Sequence, residues 1–206
     1  TARAMRPLVL ASGSPRRQAL LGALGVDFRI VTSNAHEPNT GDTPAEIVIQ
    51  NAGIKRDDVA AMISEPAIII AADTLVFYEE HVLPKPVDLD DARRMLRLLS
   101  GKTHQVLTGL ALIDTVTGQC VEGSESTDVT FRDLADDEIE HFVHIVEPLD
   151  RAGAYTVDGP GTLIVAAYRG CYQNVLGLPM VRLQNLLGKL GVDLFAAMDK
   201  AGAKFL

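Results

Sequence analysis

Only two cysteines occur in the chain, Cys120 and Cys171, too few and too far apart for a disulfide framework or a zinc knuckle. Buried structural thiols in a reducing cytoplasm are the expectation. A basic balance is also missing: 19 Lys and Arg stand against 27 Asp and Glu, for a formal charge of −8. That excludes the basic face of a nucleic-acid scaffold, while a small anionic partner stays compatible if cations gather locally. No hydrophobic run approaches the ~20 residues of a membrane helix, since the longest, Ala67 to Ala72, has only the length of a strand. Thr1 to Pro7 is short, basic and without the apolar segment of a secretory leader. Internal repeats and low-complexity blocks are absent. What remains is 206 residues, 47% hydrophobic, enough to bury the core of one globular domain with room for two lobes.

The most informative stretch is Ser12-Gly13-Ser14-Pro15-Arg16-Arg17. It follows the apolar Leu8-Val9-Leu10-Ala11 and precedes an amphipathic segment, Gln18 to Leu24, so it reads as strand, tight loop, helix start. Proline suits a first helical turn, where its missing N–H would be unpaired anyway. Exposed N–H groups, two hydroxyls and the positive end of the helix favour an anion there. Arginine suits phosphate because its planar fork bonds two oxygens at once. By itself, an ordinary capped helix with two solvated arginines would look the same.

Further along, Gly25 reads as a helix C-cap, Phe28 to Val31 as a short strand, and Thr32 to Thr43 as a polar loop holding His36-Glu37-Pro38. Thr43-Pro44-Ala45-Glu46 is a capping box opening a helix to about Met62, with Lys55 part-way along. Ala67 to Ala72, apolar without alternation, predicts a strand buried on both faces that ends in Asp73-Thr74, with Leu75 to Tyr78 continuing extended. A carboxylate at such a strand end is well placed for a ligand or catalytic role. Two prolines hold Lys85 in a rigid segment, Leu83 to Pro86. An amphipathic helix follows over Asp88 to Leu99. Ser100-Gly101-Lys102-Thr103 mimics a phosphate loop but lacks the required upstream glycine, Leu96 standing in its place. Gln105 to Asp114 and Gln119 to Phe131 predict a hairpin about Thr117-Gly118. On the helix predicted over Ala135 to Val146, His141, His144 and Glu147 recur every third residue, read as solvated or packed side chains. Glycine density from Gly153 to Gly161, beside the apolar Leu163 to Ala167, suggests a loop packed close to a ligand. Met180 to Leu190 predicts the last helix, and the tail over residues 194–206 is expected to be partly disordered.

The cations Arg16, Arg17, Lys55 and Lys85 and the carboxylates Glu37 and Asp73 all fall at element ends or in loops, apart from Lys55. Together the cations could neutralise a polyphosphate while the carboxylates hold a divalent metal of the hard, oxygen-seeking kind, Mg or Mn. Phosphoryl transfer needs mainly positioning and charge stabilisation, which this inventory supplies.

On these residues the chain resembles the Maf-like nucleoside triphosphate pyrophosphatases, with matching blocks from Leu8 to about Leu190. They are Leu10 to Arg17, Ala72-Asp73-Thr74, Lys85-Pro86, Ser100 to His104, Thr108-Gly109, Glu147 to Asp150, Ala152 to Tyr155 and Asn174 to Pro179. The resemblance implies an elongated α/β mixed-sheet fold with two lobes and a central cleft, similar to the inosine triphosphate pyrophosphatases, and a homodimer. It implies cleavage of a nucleoside triphosphate between its α and β phosphorus atoms with a divalent metal. Asp73 would accept a proton from the attacking water, Glu37 and Asp73 would sit at the metal, and Ser12, Arg16, Arg17, Lys55 and Lys85 would hold phosphates.

Arg16 and Thr74 resemble the subgroup acting on dTTP and UTP, whereas Asp158 stands where that subgroup has glutamine. Glutamine offers a donor and an acceptor to uracil or thymine; an ionised aspartate only accepts, which would suit two neighbouring donors on guanine. Two determinants of three favour pyrimidines, with 7-methyl-GTP as the alternative. A nucleotidyltransferase or a nonenzymatic regulator of cell division are the rivals.

Overall fold

The computed structural model describes residues 6–205, so most of the leader reading on Thr1 to Pro7 lies outside the described residues. A mixed seven-stranded sheet runs through the molecule. β1 (Leu8–Leu10) pairs in parallel with both β2 (Phe28–Ile30) and β3 (Ile68–Tyr78). Parallel neighbours require crossovers, supplied here by α1 (Pro15–Gly22) and α2 (Pro44–Met62). β4 (His81–Leu83) folds back on the end of β3. After α3 (Leu89–Leu99) come the long hairpin strands β5 (Thr103–Asp114) and β6 (Cys120–Phe131), then α4 (Asp136–Val146). Three short 3-10 turns between Pro148 and Leu163 lead to β7 (Val165–Arg169), α5 (Tyr172–Val175), α6 (Met180–Lys189) and α7 (Leu194–Ala197). The strand order is β2-β1-β3-β5-β6-β7, with β4 beside β3.

β3 reads as an unbroken apolar run because helices cover both its faces. Ile69 and Ala71 pack with Val59 of α2, and Phe77 with Ile47 and Val48 at that helix's other end. On the opposite face Ile68, Ile70 and Ala72 meet Leu21 of α1 and Leu183 and Leu187 of α6. Further along that face, Val76 and Val106 pack with Ala92 and Leu96 of α3 and Val143 of α4. These two clusters lie along one face of the sheet, towards opposite ends of β3. Each fully buried leucine stabilises the fold by about 1.5–3 kcal/mol. α2 lies unusually close to the sheet: a Cβ on Gly109 would stand 2.2 Å from the Val48 carbonyl oxygen.

Several expectations change. Asp73 does not end its strand. β3 continues to Tyr78, because Thr74 to Phe77 keep pairing with β5 and Tyr78 pairs with His81 of β4. What ends near Asp73 is the partner on the other edge: β1 pairs only as far as Ile70, and β4 begins at Val76. β3 is therefore open on that edge from Ala71 to Leu75. α1 starts at Pro15, earlier than Gln18, since Ser14 caps it through the Arg17 amide. β7 is shifted towards Arg169, because 3-10 turns occupy Gly159 to Leu163. Over its described residues the tail is ordered rather than partly disordered: Leu194 is buried, the Asp199 amide donates to the Gly25 carbonyl at 2.9 Å, and Lys204 does the same to Ala23. Gly25, at φ +69°, accommodates this contact, since a Cβ there would lie 2.4 Å from the Asp199 carbonyl oxygen. No helix among the described residues is long and apolar enough to cross a membrane.

Candidate active site

A cavity of about 710 Å³ opens at the free edge of β3. Side chains alternate along the strand, so Asp73 turns towards α2 while Thr74 turns towards α1, and the gap in pairing lets both reach one hollow.

The Thr74 side is closed by a clasp. Arg17 is buried, and its Nε donates to the Gly177 carbonyl at 2.7 Å, its Nη1 to Ser12 Oγ at 3.1 Å and its Nη2 to Thr74 Oγ1 at 2.9 Å. Thr74 Oγ1 also lies 2.7 Å from Thr108 Oγ1, whose hydroxyl donates to the Asn174 carbonyl at 3.1 Å. Burial lowers the Arg17 pKa, opposed first by the charge of Asp73. Ser12, Arg17 and Thr74 are thus brought together, but as a fastening between the β1–α1 loop, β3 and the turn at Gly177.

On the α2 side, Lys55 Nζ sits between two carboxylates, 2.9 Å from Asp73 Oδ1 and 3.0 Å from Glu37 Oε1. Asn51, one helical turn before Lys55 and fully buried, donates Nδ2 to Asp73 Oδ2 at 2.9 Å and to Asn39 Oδ1 at 2.7 Å. Burial pushes the Asp73 pKa up, but Lys55 and hydrogen bonds from Glu37, Asn51 and Lys55 outweigh it, so Asp73 falls below the usual carboxylate range. Glu37 moves the other way, raised by burial and by its hydrogen bond with Asp73. Both Asp73 oxygens accept from donors inside the chain, Oδ1 from Lys55 and Oδ2 from Asn51, an arrangement that favours its ionised form. Two convergent carboxylates already arranged around one cation fit a hard divalent metal of the kind that completes its shell with water and phosphate oxygens. Among the described residues no group of three or more His, Cys, Asp or Glu side chains could hold a metal ion, His141, His144 and Glu147 included.

Lys85, between Pro84 and Pro86, lines the cavity, as do Arg16, Arg151 and Tyr155. The Tyr155 hydroxyl is fixed 2.6 Å from His104 Nε2, and burial holds the pKa of that histidine down at about 4, so it is neutral at pH 7. A smaller hollow of about 190 Å³ lies beside Ser12, Thr32, Ser33, Glu37 and Lys55. Asp158 is exposed and off the cavity lining, held by the Thr156 hydroxyl, with its charge acting on Arg16 and Arg151. Six of the residues singled out in the sequence therefore converge directly (Arg16, Arg17, Glu37, Lys55, Asp73 and Lys85), with Thr74 beside them. Asn51, Asn39 and Arg151 were not singled out. Asn51 did leave a signal, a polar side chain spaced at i−4 from Lys55.

The sequence profile described as Maf-like protein matches residues 7–190. A dTTP/UTP pyrophosphatase of Pelotomaculum thermopropionicum is 44% identical over 190 residues, covering 92% of this chain and 99% of that protein. Another from Acetivibrio thermocellus is 43% identical over 196 residues, covering 92% and 98%. Among solved structures, the Ham1 protein of Staphylococcus aureus superposes loosely, at TM-score 0.42 and 14% identity over 64% of this chain and 73% of that one. With the family profile spanning nearly the whole chain and curated relatives aligned almost end to end, the chain belongs to the Maf-like protein family.

Proposed function

We propose that the protein hydrolyses a nucleoside triphosphate, dTTP or UTP by the names of its relatives, to the monophosphate and pyrophosphate. The observation that carries this reading is the ionised Asp73, held by Lys55 and Asn51 at the edge of a cavity that Arg16, Lys85 and Arg151 also line. Water attacks the α phosphorus, its proton passes to Asp73, and the bond from that phosphorus to the α–β bridging oxygen breaks with its electron pair leaving on pyrophosphate. Asp73, with a lowered pKa, is an acceptor that is always available at neutral pH though a weak one. Glu37 and Asp73 would hold a divalent cation, Mg or Mn, which when bound neutralises phosphate charge and makes water more acidic. Arg16 and Lys85 bind phosphate oxygens, while Ser12, Arg17 and Thr74 keep the loop that presents them in place. A single-domain homodimer in the cytoplasm, independent of nucleic acid, completes this reading on the strength of the family resemblance.

The test is pyrophosphate release from a panel of nucleoside triphosphates, 7-methyl-GTP included, with Mg or Mn and no second substrate. Release from dTTP and UTP supports the reading, and Asp73→Ala should cut it by about 10²–10⁴-fold. No release without an added acceptor would indicate a transferase; no release under any condition, a binding protein. Undiminished turnover by the Asp73 variant would sink the mechanism.

A further inference from the structure

No helix or strand forms over residues 31–43, the stretch between β2 and α2 that carries Glu37. Its start is pinned by Asp58 of α2, which accepts from the Ser33 hydroxyl at 2.6 Å and from the Asn34 amide at 3.1 Å. Over residues 35–41, polar contacts to α2 and β3 among the described residues run through two side chains, Glu37 and Asn39. Each meets one side chain of α2, and those two, Lys55 and Asn51, stand one turn apart on the same face. Each of these in turn holds one oxygen of Asp73. The bridges are therefore paired, one from Glu37 through Lys55 to Asp73 Oδ1, the other from Asn39 through Asn51 to Asp73 Oδ2. The Asn51 amide has two N–H donors and commits both, to Asp73 at 2.9 Å and to Asn39 Oδ1 at 2.7 Å. Asn39 reaches it from a left-handed backbone, φ +52°, a conformation that glycine and asparagine adopt most readily.

We propose that Asn39 is a positioning residue: through Asn51 it fastens the Glu37 segment to the helix that holds Asp73, and so sets where Glu37 stands relative to the reacting carboxylate. The consequence for turnover rests on the hydrolase reading above and deepens it, whereas the fastening itself does not depend on that reading. Glu37 spends its contact with α2 on Lys55. Once Glu37 shares its charge with a divalent cation, that contact weakens. Asn39 has no second duty of this kind. Its bond to Asn51 joins two neutral amides, so neither a cation nor a triphosphate competes strongly for it. With the bond intact, Glu37, two residues away, exchanges partners without its backbone leaving the cavity. Without it, residues 35–41 lose their other tie to α2, and the second N–H of Asn51 loses the acceptor that orients the amide towards Asp73.

The experiment is a double-mutant cycle of Asn39→Gly with Asn51→Leu, read by steady-state pyrophosphate release from UTP and by hydrogen exchange of the amides in residues 35–41. Glycine keeps the left-handed backbone while removing the side chain, and thermal unfolding checks that each variant is folded. Asn39→Gly is expected to lower kcat by about 5- to 10-fold at unchanged KM, and to speed exchange over the segment by about the same factor. In the Asn51→Leu background the same substitution should change neither by more than about twofold, because the partner is already gone. Asn39→Asp keeps an acceptor facing Asn51 and should restore slow exchange, which separates the lost bond from the added flexibility of glycine. Equal losses in both backgrounds, a change confined to KM, or exchange as fast in Asn39→Asp as in Asn39→Gly would each overturn the inference. Wild type that releases no pyrophosphate from any nucleotide would instead overturn the hydrolase reading, and the exchange arm of the cycle would still decide on the fastening.

Discussion

The two walls of the cavity treat charge in opposite ways. On the α2 wall the charges are matched inside the protein: Lys55 lies between Glu37 and Asp73, and both Asp73 oxygens accept, one from Lys55 and one from Asn51. On the facing wall Arg151 keeps two buried nitrogens unpartnered among the described residues, while Arg16 and Lys85 stand exposed. A cluster whose charged groups are paired before any ligand arrives holds its geometry without one, although Asn51 Oδ1 is itself buried without a partner among the described residues. A guanidinium with unmade bonds does the reverse, since its missing acceptors arrive with the ligand. Under the proposed function, the first wall would serve the chemical step and the second the binding of substrate.

Removing the ammonium from the matched wall should break this contrast most severely. Lys55→Met leaves Glu37 and Asp73 facing each other, and kcat should fall by about 10²–10³-fold. Lys85→Met, on the open wall, should act mainly through KM. Steady-state kinetics on both variants decides; a similar loss of kcat in each would erase the distinction.

Asn51→Leu sharpens the comparison with a smaller effect. It takes the Asn51 amide from Asp73 Oδ2 while filling the space with an apolar group, so kcat should drop by about 10-fold, with KM unchanged. A change confined to KM would move Asn51 to the recognition side.

The smallest effect concerns pH. Glu37 has a raised folded pKa, so its contribution to stability is full below its ordinary value and is lost as pH rises through the raised one. Asp73 is lowered, so its contribution is present above the ordinary value and fades as pH falls through the lowered one. Glu37→Gln removes only the first. Its unfolding temperature relative to wild type should therefore rise from pH 4 to pH 7, by a few degrees or less. Thermal melts at the two pH values check this, and the opposite trend would overturn the direction given for Glu37.

Local chemistry made much of the fold legible. The Thr43 cap, Pro44 and Glu46 announced α2, and its Thr43 Oγ1 accepts from the Glu46 amide at 3.3 Å. Thr117-Gly118 announced the hairpin in the same way. Asp73 was misplaced on its strand because a polar pair after an apolar run looks like an end, whereas the pairing that stops there belongs to β1 on the other edge. Order in the tail came from contacts with Gly25, more than 170 residues away in sequence, which no local pattern encodes. Arg17 looked like a phosphate ligand by type and position, but the structure commits its nitrogens to Gly177, Ser12 and Thr74. Arg151 carried no signal beyond its place in a glycine-dense segment, because its significance lies in the partners it lacks.

The interruption along one side of β3 has a further consequence. Unpaired backbone amides and carbonyls on a strand are an invitation for a foreign chain to dock by β-addition, the first step of many aggregates. Here the Lys55 ammonium lies 3.4 Å from the Ala72 carbonyl oxygen, and the Asp73 carboxylate is the next side chain along. An invading strand would have to dehydrate and separate those charges before making its first hydrogen bond. The groups assigned to catalysis therefore also serve as gatekeepers, and charge-removing variants at this edge should be watched for self-association as well as for lost turnover.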